Sequence, residues 1–293
     1  MPIEALALVL LAALLHASWN IVAKRAGGDF RFAIASNLIG SVVWLPLGLW
    51  FGWSEVPHWS ALQWAAVSAS AVVHVLYFQS LLAGYRAADL TVVYPLARGS
   101  APLLTALAAV LLLGERLSAV ALVGVLAVCG GVFLIAGGPA LWRAAADRQQ
   151  QARVQAGLRW GLATGVLIAT YSVIDGYAIK LLLMSPLVFD YLCNLLRVPL
   201  QMPWVLADRP AFMKVMRAQW RPALVVAVLG PIAYIAVLTA LTLAPLSHVA
   251  PAREASMLFA ALLGGRLLGE GQRALRLAGA LCIAAGVIGL ALG

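Results

Sequence analysis

Residues 98–138 and 253–293 of this chain are two copies of one pattern. At a constant offset of 155 residues, Arg98 falls on Arg253, Gly114-Glu115 on Gly269-Glu270, Gly124 on Gly279 and Gly131 on Gly286. Both copies are almost purely aliphatic. Of the 293 residues 63% are hydrophobic and 11% charged, against roughly 25% charged in ordinary soluble domains, so most of the chain has no means of facing water. The chain reads as an integral membrane protein built from a duplicated unit. Such units, when inserted in opposite directions, enclose a site that opens to either side as one half rocks against the other.

A helix that crosses about 30 Å of hydrocarbon needs roughly 20 mainly apolar residues. Ten runs qualify: 3–23, 32–52, 61–84, 90–113, 117–138, 158–181, 185–206, 222–243, 246–268 and 273–292. Their continuous apolarity, without alternation at every second residue, argues against a barrel of strands. The first run lacks a basic leader and reads as a span, not a cleavable signal. The one long polar stretch, Trp142 to Arg159, separates two halves. The expected architecture is all-α, with residues 1–139 as a first five-helix repeat, 140–157 as a linker and 158–293 as a second five-helix repeat. Across the linker His16 falls on Tyr171 and Asn20 on Asp175, and at a slightly longer offset Asn37 falls on Asn194 and Pro46 on Pro203.

Five spans per half is an odd number, so the halves must be inverted. Loop charges test this independently. Lys24, Arg25 and Arg31 follow the first span, but only Lys180 follows the sixth. No Lys or Arg follows the second, whereas Arg209, Lys214, Arg217 and Arg221 follow the seventh. Arg116 alone stands after the fourth, against Arg266, Arg273 and Arg276 around the end of the ninth. With the cationic side cytoplasmic, both termini lie outside. The net charge of +9 is thus explained by topology and does not call for nucleic acid. Cys129, Cys193 and Cys282 lie singly in apolar runs and read as small packing residues.

Ionisable groups at membrane depth are costly and mark sites. His16, Trp19 and Asn20 lie on the first span, with His16 and Asn20 on one face at i, i+4. Tyr171 and Asp175 answer at the same spacing on the sixth. Asp175 is the leading candidate for proton coupling, with Glu254 a second. Tyr94-Pro95 precedes Arg98, and Pro251 precedes Arg253. A proline frees carbonyls in the turn before it, and irregular backbone at depth is tolerated where it lines an enclosed cavity. Arg98 and Arg253 are therefore candidates to clamp a carboxylate or phosphate bidentately, Arg253 being open to neutralisation by its neighbour Glu254. His74 and Tyr77 share a face of the third span, as Asn194 and Arg197 do on the seventh. The candidate substrate site comprises His16, Trp19, Asn20, His74, Tyr77, Tyr94, Arg98, Tyr171, Asn194 and Arg253. Trp44, Trp50, Trp53 and Trp59 read as an interfacial belt, and Glu115 and Glu270 as loop-forming or interfacial groups. Gly130-Gly131, Gly137-Gly138 and Gly264-Gly265 read as small faces for close helix approach.

The Leu-Leu-Gly-Glu sequence at 112–115 and again at 267–270 follows a Pro- and Arg-marked helix and precedes a Gly-rich one. Together with His-Ala-Ser-Trp-Asn at 16–20, followed by Lys24, it closely resembles the EamA-type transporters of the drug/metabolite transporter superfamily. The resemblance implies two inverted five-helix repeats around a central cavity and export or exchange of small metabolites without ATP hydrolysis. One departure stands out. The small multidrug members carry a glutamate in their first helix, where this chain has His16 and Asn20.

The expected function is secondary transport by alternating access, as an exporter or exchanger of a small, amino-acid-like metabolite with an anionic group. The partners would be that substrate, protons as the coupling ion and the lipid bilayer, a bacterial inner membrane, with no cofactor, no metal and no nucleic acid. A proton-coupled exporter of aromatic cations, using Trp19, Tyr77, Tyr171 and Asp175, is the first alternative. An enzyme acting on lipid-linked phosphate is the second, although the four histidines show no ligand spacing and no P-loop is present.

Overall fold

The computed structural model describes residues 1–88, 90–135, 148–263 and 273–293. Among these the structure is helical, with no strand. The helices are α1 (Ile3–Arg25), α2 (Phe30–Val43), α3 (Leu45–Glu55), α4 (Ala61–Ala87), α5 (Leu90–Leu112), α6 (Ala119–Ile135), α7 (Arg148–Lys180), α8 (Pro186–Ala207), α9 (Arg209–Leu243), α10 (Leu246–Ala252), α11 (Ala255–Leu263) and α12 (Arg273–Leu292). A 3-10 turn, Val56–His58, follows α3. The side chains of Tyr94 and Pro95, and residues 136–147 and 264–272 with Gly137, Gly138, Gly264, Gly265, Arg266 and Glu270, lie outside the described residues.

Four helices, Ile3–Arg25, Ala61–Ala87, Gln151–Lys180 and Arg209–Leu243, are long and apolar enough to cross a membrane. Among the described residues α2 and α3 with its 3-10 turn, two segments bent by 61°, pass the same test of length and apolarity when taken together. Leu96–Leu112, Ala119–Ile135 and Leu277–Leu292 are shorter apolar helices, each ~25 Å long at 1.5 Å per residue. The outer surface is apolar too: Ile3, Trp50, Trp53, Leu122, Leu183 and Leu281 all stand exposed. Only a lipid surround satisfies such a face, because helices close their own backbone hydrogen bonds and need nothing polar outside. The chain is a multi-pass helical membrane protein.

Local chemistry sets the helix ends. Ser60 and Gln63 form a capping box at α4, while Asp29 accepts from the Phe32 N–H at α2 and Asp208 from the Ala211 N–H at α9. Each satisfies donors that a helix start leaves open. Arg31 then ties both caps together, 3.3 Å from Asp29 and 2.7 Å from Asp208.

Several expectations about continuity change. The run at 32–52 is two helices, because Pro46 opens α3 and fixes a new direction. The run at 246–268 breaks after Ala252. Past Pro251, tight bonds from Glu254 N–H to Pro251 C=O, Ser256 N–H to Arg253 C=O and Met257 N–H to Glu254 C=O replace the α-helical ladder. No such break occurs at Pro95, around which α5 runs without interruption from Leu90 to Leu112. The polar stretch before Arg159 is not all linker: α7 begins at Arg148, extending the helix well before 158.

Glycines bring the backbones of α6 and α12 together. A Cβ on Gly124 would lie 2.8 Å from the Gly286 carbonyl oxygen, and one on Gly131 2.6 Å from that of Gly279. Advancing along α6 means retreating along α12, so the two helices cross antiparallel. Small residues permit this depth of contact in a membrane. Elsewhere α7 packs between α4 and α5, with Ser80 and Thr164 hydroxyls 3.0 Å apart. α1 packs along α9, and the Met1 ammonium donates to the Ala291 carbonyl at 2.8 Å.

Candidate functional site

Six segments bring buried and half-buried polar groups to one junction. α4 supplies Ser70 and His74, α7 supplies Tyr171 and Asp175, α8 supplies Asp190, Cys193 and Arg197, and α9 supplies Tyr234. The break between α10 and α11 supplies Arg253 and Glu254, and α5 supplies Arg98. Asp175, only 1% exposed, is held at both carboxylate oxygens: Ser70 Oγ donates to Oδ1 at 2.5 Å and the Tyr234 hydroxyl to Oδ2. Its two donors come from different helices, so the carboxylate locks α4 and α9 onto α7. Hydrogen bonds to an ionised acceptor are the stronger kind.

Aromatic rings wall this carboxylate. His74 stacks on Tyr171 with ring centroids 3.9 Å apart, and its Nδ1 lies 2.9 Å from the Ser70 carbonyl oxygen and 3.2 Å from Ser70 Oγ. Tyr77 meets Tyr171 edge-on at 5.7 Å, and Tyr234 meets His74 at 5.9 Å. His74, Tyr77, Tyr171 and Asp175, singled out from sequence on two separate spans, thus converge.

The two arginines differ. Arg98 Nη2 lies 3.1 Å from Glu254 Oε2 and donates to Ser256 Oγ at 3.2 Å. Glu254 is thus within ion-pair distance of Arg98, while its charge also acts on its neighbour Arg253. The tight turn after Pro251 places adjacent side chains in different directions, and Glu254 reaches across to α5. Among the described residues, Arg253 makes no ion pair within 4 Å. It lines, with Asp175, Ser172, Tyr234, Leu246 and Ala250, a narrow void of about 10 Å³. That is space for roughly one water molecule. Arg98 does not line this void.

The remaining candidates lie farther out. His16 meets Trp19 edge-on at 4.8 Å and lies within the fields of Arg98 and Arg253. The Trp19 indole N–H is buried without an acceptor among the described residues. Asn20 is exposed and turns its amide back to the His16 carbonyl at 2.7 Å, so its shared face with His16 ends in a local bond. Asn194 donates to the Asp190 carbonyl at 2.8 Å and accepts at its own carbonyl from Asn37 at 3.2 Å. For Tyr94 the side chain lies outside the described set. Asp190 is buried, and Arg197 donates to Cys193 Sγ at 3.5 Å while its Nε has no acceptor among the described residues.

Ser70 and Tyr234, the two direct partners of Asp175, were not among the sequence candidates. A signal for Tyr234 existed: it lies 157 residues after Tyr77, the offset that relates Asn37 to Asn194. For Ser70 there was none, since a membrane serine usually bonds its own helix.

Glu115 has a defined structural task. Its carboxylate accepts from the backbone N–H groups of Leu246 at 2.7 Å and Ser247 at 2.8 Å, and lies 3.1 Å from Lys180 Nζ. Burial pushes this carboxyl up, but the Ser247 and Leu246 donors and the Lys180 charge outweigh it, so Glu115 sits below its ordinary value of 4.5. A cleft of about 500 Å³ lies nearby, bounded by Lys180, Leu183, Pro186, Thr242 and Pro245. It is larger than the void at Asp175, and none of Asp175, Asp190, Arg253 or Glu254 lines it.

Comparison with known proteins follows the same lines. A solved structure, described as the crystal structure of a protein, is similar to this chain with a TM-score of 0.77 at 19% identity, over 100% of this chain and 98% of the other. That likeness concerns the fold. No curated protein matches. Residues 3–137 match the EamA-like transporter family. With its apolar helices and its long-range duplication, the chain is consistent over residues 3–137 with an EamA-type transporter of the drug/metabolite transporter superfamily.

Proposed function

We propose that this protein is a secondary transporter that carries a small polar metabolite with an anionic group, amino-acid-like in size, by alternating access. In this reading ten spans form two inverted five-helix repeats, 1–139 and 158–293, joined by 140–157, in a bacterial inner membrane. Two contacts support the inversion. Gly124 meets Gly286 and Gly131 meets Gly279, while Gly124 corresponds to Gly279 and Gly131 to Gly286 in the repeat. Reciprocal contacts of that kind are the mark of a two-fold relation, and the antiparallel crossing puts its axis in the membrane plane. Asn37, bonded to its own equivalent Asn194, lies on the same axis.

One observation carries the functional reading: buried Asp175 and half-buried Arg253 line one narrow void between α7, α9 and α10. Arg253 is the group that binds the anion, Asp175 the group that exchanges a proton, and His74 and Tyr171 form the adjoining wall. Arg98 positions Glu254. The conformation is closed around the site, and a metabolite enters when α10 and α11 part from α7 and α9. Each ligand acts through its differential affinity for the two states.

The aromatic rings around Asp175 would also suit an organic cation. Arg253 in the same void repels one, which favours the anion. A thermal-stability screen of the purified full-length protein against glutamate, lactate, phosphoglycerate and tetraphenylphosphonium tests the choice, because bound ligand raises stability with its occupancy. Stabilisation by an anion, lost in Arg253→Gln, is expected. Stabilisation by the cation alone, or by anions equally in Arg253→Gln, would overturn the reading.

A further inference from the structure

Among the described residues three carboxylates and three guanidinium groups meet in the interior of this protein, so their formal charges sum to zero. The carboxylates are Asp175, Asp190 and Glu254, exposed by 1%, 3% and 2%. The guanidinium groups belong to Arg98, Arg197 and Arg253. Charges taken into such surroundings persist only when balanced by partners. An incoming anion breaks the balance by one.

Their placement decides which group restores it. Glu254 is committed to Arg98 at 3.1 Å. Asp190 is absent from the void's lining, whereas Asp175 and Arg253 both belong to it. The groups facing Asp175 are His74 from α4, Tyr171 on its own helix, Asp190, Cys193 and Arg197 from α8, Tyr234 from α9 and Arg253 from the α10–α11 break. Arg197 and Arg253 both act on Asp175; an anion on Arg253 takes up one of these two cations and sets a second negative charge beside the carboxylate. Of the three carboxylates only Asp175 shares the anion's cavity.

We infer that the substrate anion and a proton occupy this cavity together, with the proton on Asp175, so that transport is anion–proton symport. The inference rests on the anion-site reading of Arg253. The step is a simple protonation: a proton from water bonds to a carboxylate oxygen of Asp175, and its O–H donates to the Ser70 or Tyr234 hydroxyl oxygen or to the anion. Nothing is oxidised and no group leaves. Net driven flux of the substrate then follows the proton, whereas exchange of one anion for another moves no net proton. In antiport, by contrast, the arriving substrate expels the proton.

The test counts protons. Purified full-length protein in weakly buffered detergent solution, with a pH-indicator dye, is mixed with lactate or glutamate at pH 7 and pH 9, and binding is followed separately by thermal shift. About one proton is expected to leave solution per bound anion. At alkaline pH the affinity is expected to fall about tenfold per pH unit. In Asp175→Asn, a neutral mimic of the protonated acid, binding is expected to persist with no proton uptake and no pH dependence. Proton release on binding, or binding without proton exchange at both pH values, overturns symport and leaves the anion site standing. Failure of both probes to stabilise the wild-type protein overturns the anion site and symport with it. Should Asp175→Asn not fold, the wild-type proton count decides alone.

Discussion

Glu254 pairs with Arg98 across the helix interface at 3.1 Å, and not with Arg253, its neighbour in the chain. The pair joins α5 to the broken helix that carries Arg253, and it leaves the Arg253 charge available to the void beside Asp175. Two arginines that the repeat makes equivalent have thus acquired different tasks.

Glu254→Gln removes the carboxylate that lies 3.1 Å from the mostly buried Arg98 guanidinium. Breaking such a pair costs about 3–5 kcal/mol. A large drop in the detergent unfolding temperature is expected, with most of it recovered in the double variant carrying Arg98→Gln as well. A single variant as stable as the wild type would mean that the pair contributes nothing.

Ser70→Ala and Tyr234→Phe each remove one donor from the Asp175 carboxylate. Hydrogen bonds to charged groups are worth about 1.5–3 kcal/mol, and each variant is expected to lose stability in that range and to slow transport in proteoliposomes. Because both donors serve one acceptor, the double variant is expected to deviate from additivity. Strict additivity, with transport unaffected, would place the two hydroxyls outside the site.

Gly131→Ala puts a methyl group 2.6 Å from the Gly279 carbonyl oxygen, whereas a Cβ on Gly130 meets nothing within 4 Å. Overpacking costs about 1–3 kcal/mol, so Gly131→Ala is expected to destabilise and Gly130→Ala to change stability by less than about 0.5 kcal/mol. Equal effects from the two neighbours would disprove the close α6–α12 crossing.

Glu115→Ala strips acceptors from the Leu246 and Ser247 N–H groups at the start of α10. The expected loss is about 1–3 kcal/mol at neutral pH. Because the Glu115 carboxyl is held below its ordinary 4.5 in the folded protein, its contribution is complete above that pH and fades as pH falls through the folded value. The gap in unfolding temperature between wild type and variant should therefore narrow under acid. A gap independent of pH would show that the ionised carboxylate is not what stabilises α10.

Much of this was legible in the linear chain. Long apolar runs give helices because a membrane leaves the backbone no other partner, and α1 and α4 fall where the runs lie, whereas α9 starts at Arg209, ahead of the run at 222–243. Arg253, Asp175, His74 and Tyr171 stood out as polar groups where polarity is costly, and they converge. Continuity was harder to read. Pro46 and Pro251 accompany a bend and a break, whereas Pro95 sits inside an uninterrupted helix, because a proline only weakens the ladder and the packing around it decides whether the helix yields.

By itself, the amino-acid sequence determined that the chain is helical, that it lies in a bilayer, that its pattern occurs twice and that its interior carries ionisable groups. The helices, the bilayer and the costly polar groups follow from hydropathy and local periodicity, which neighbours in the chain are enough to set, and the repeat follows from comparing residues 155 apart. Only the tertiary structure decided which arginine Glu254 neutralises, that Ser70 and Tyr234 grip Asp175, and that Glu115 reaches across to the start of α10. Such pairings depend on side-chain directions and helix crossings between residues far apart in sequence, and the distances that govern electrostatics exist only once the helices have packed.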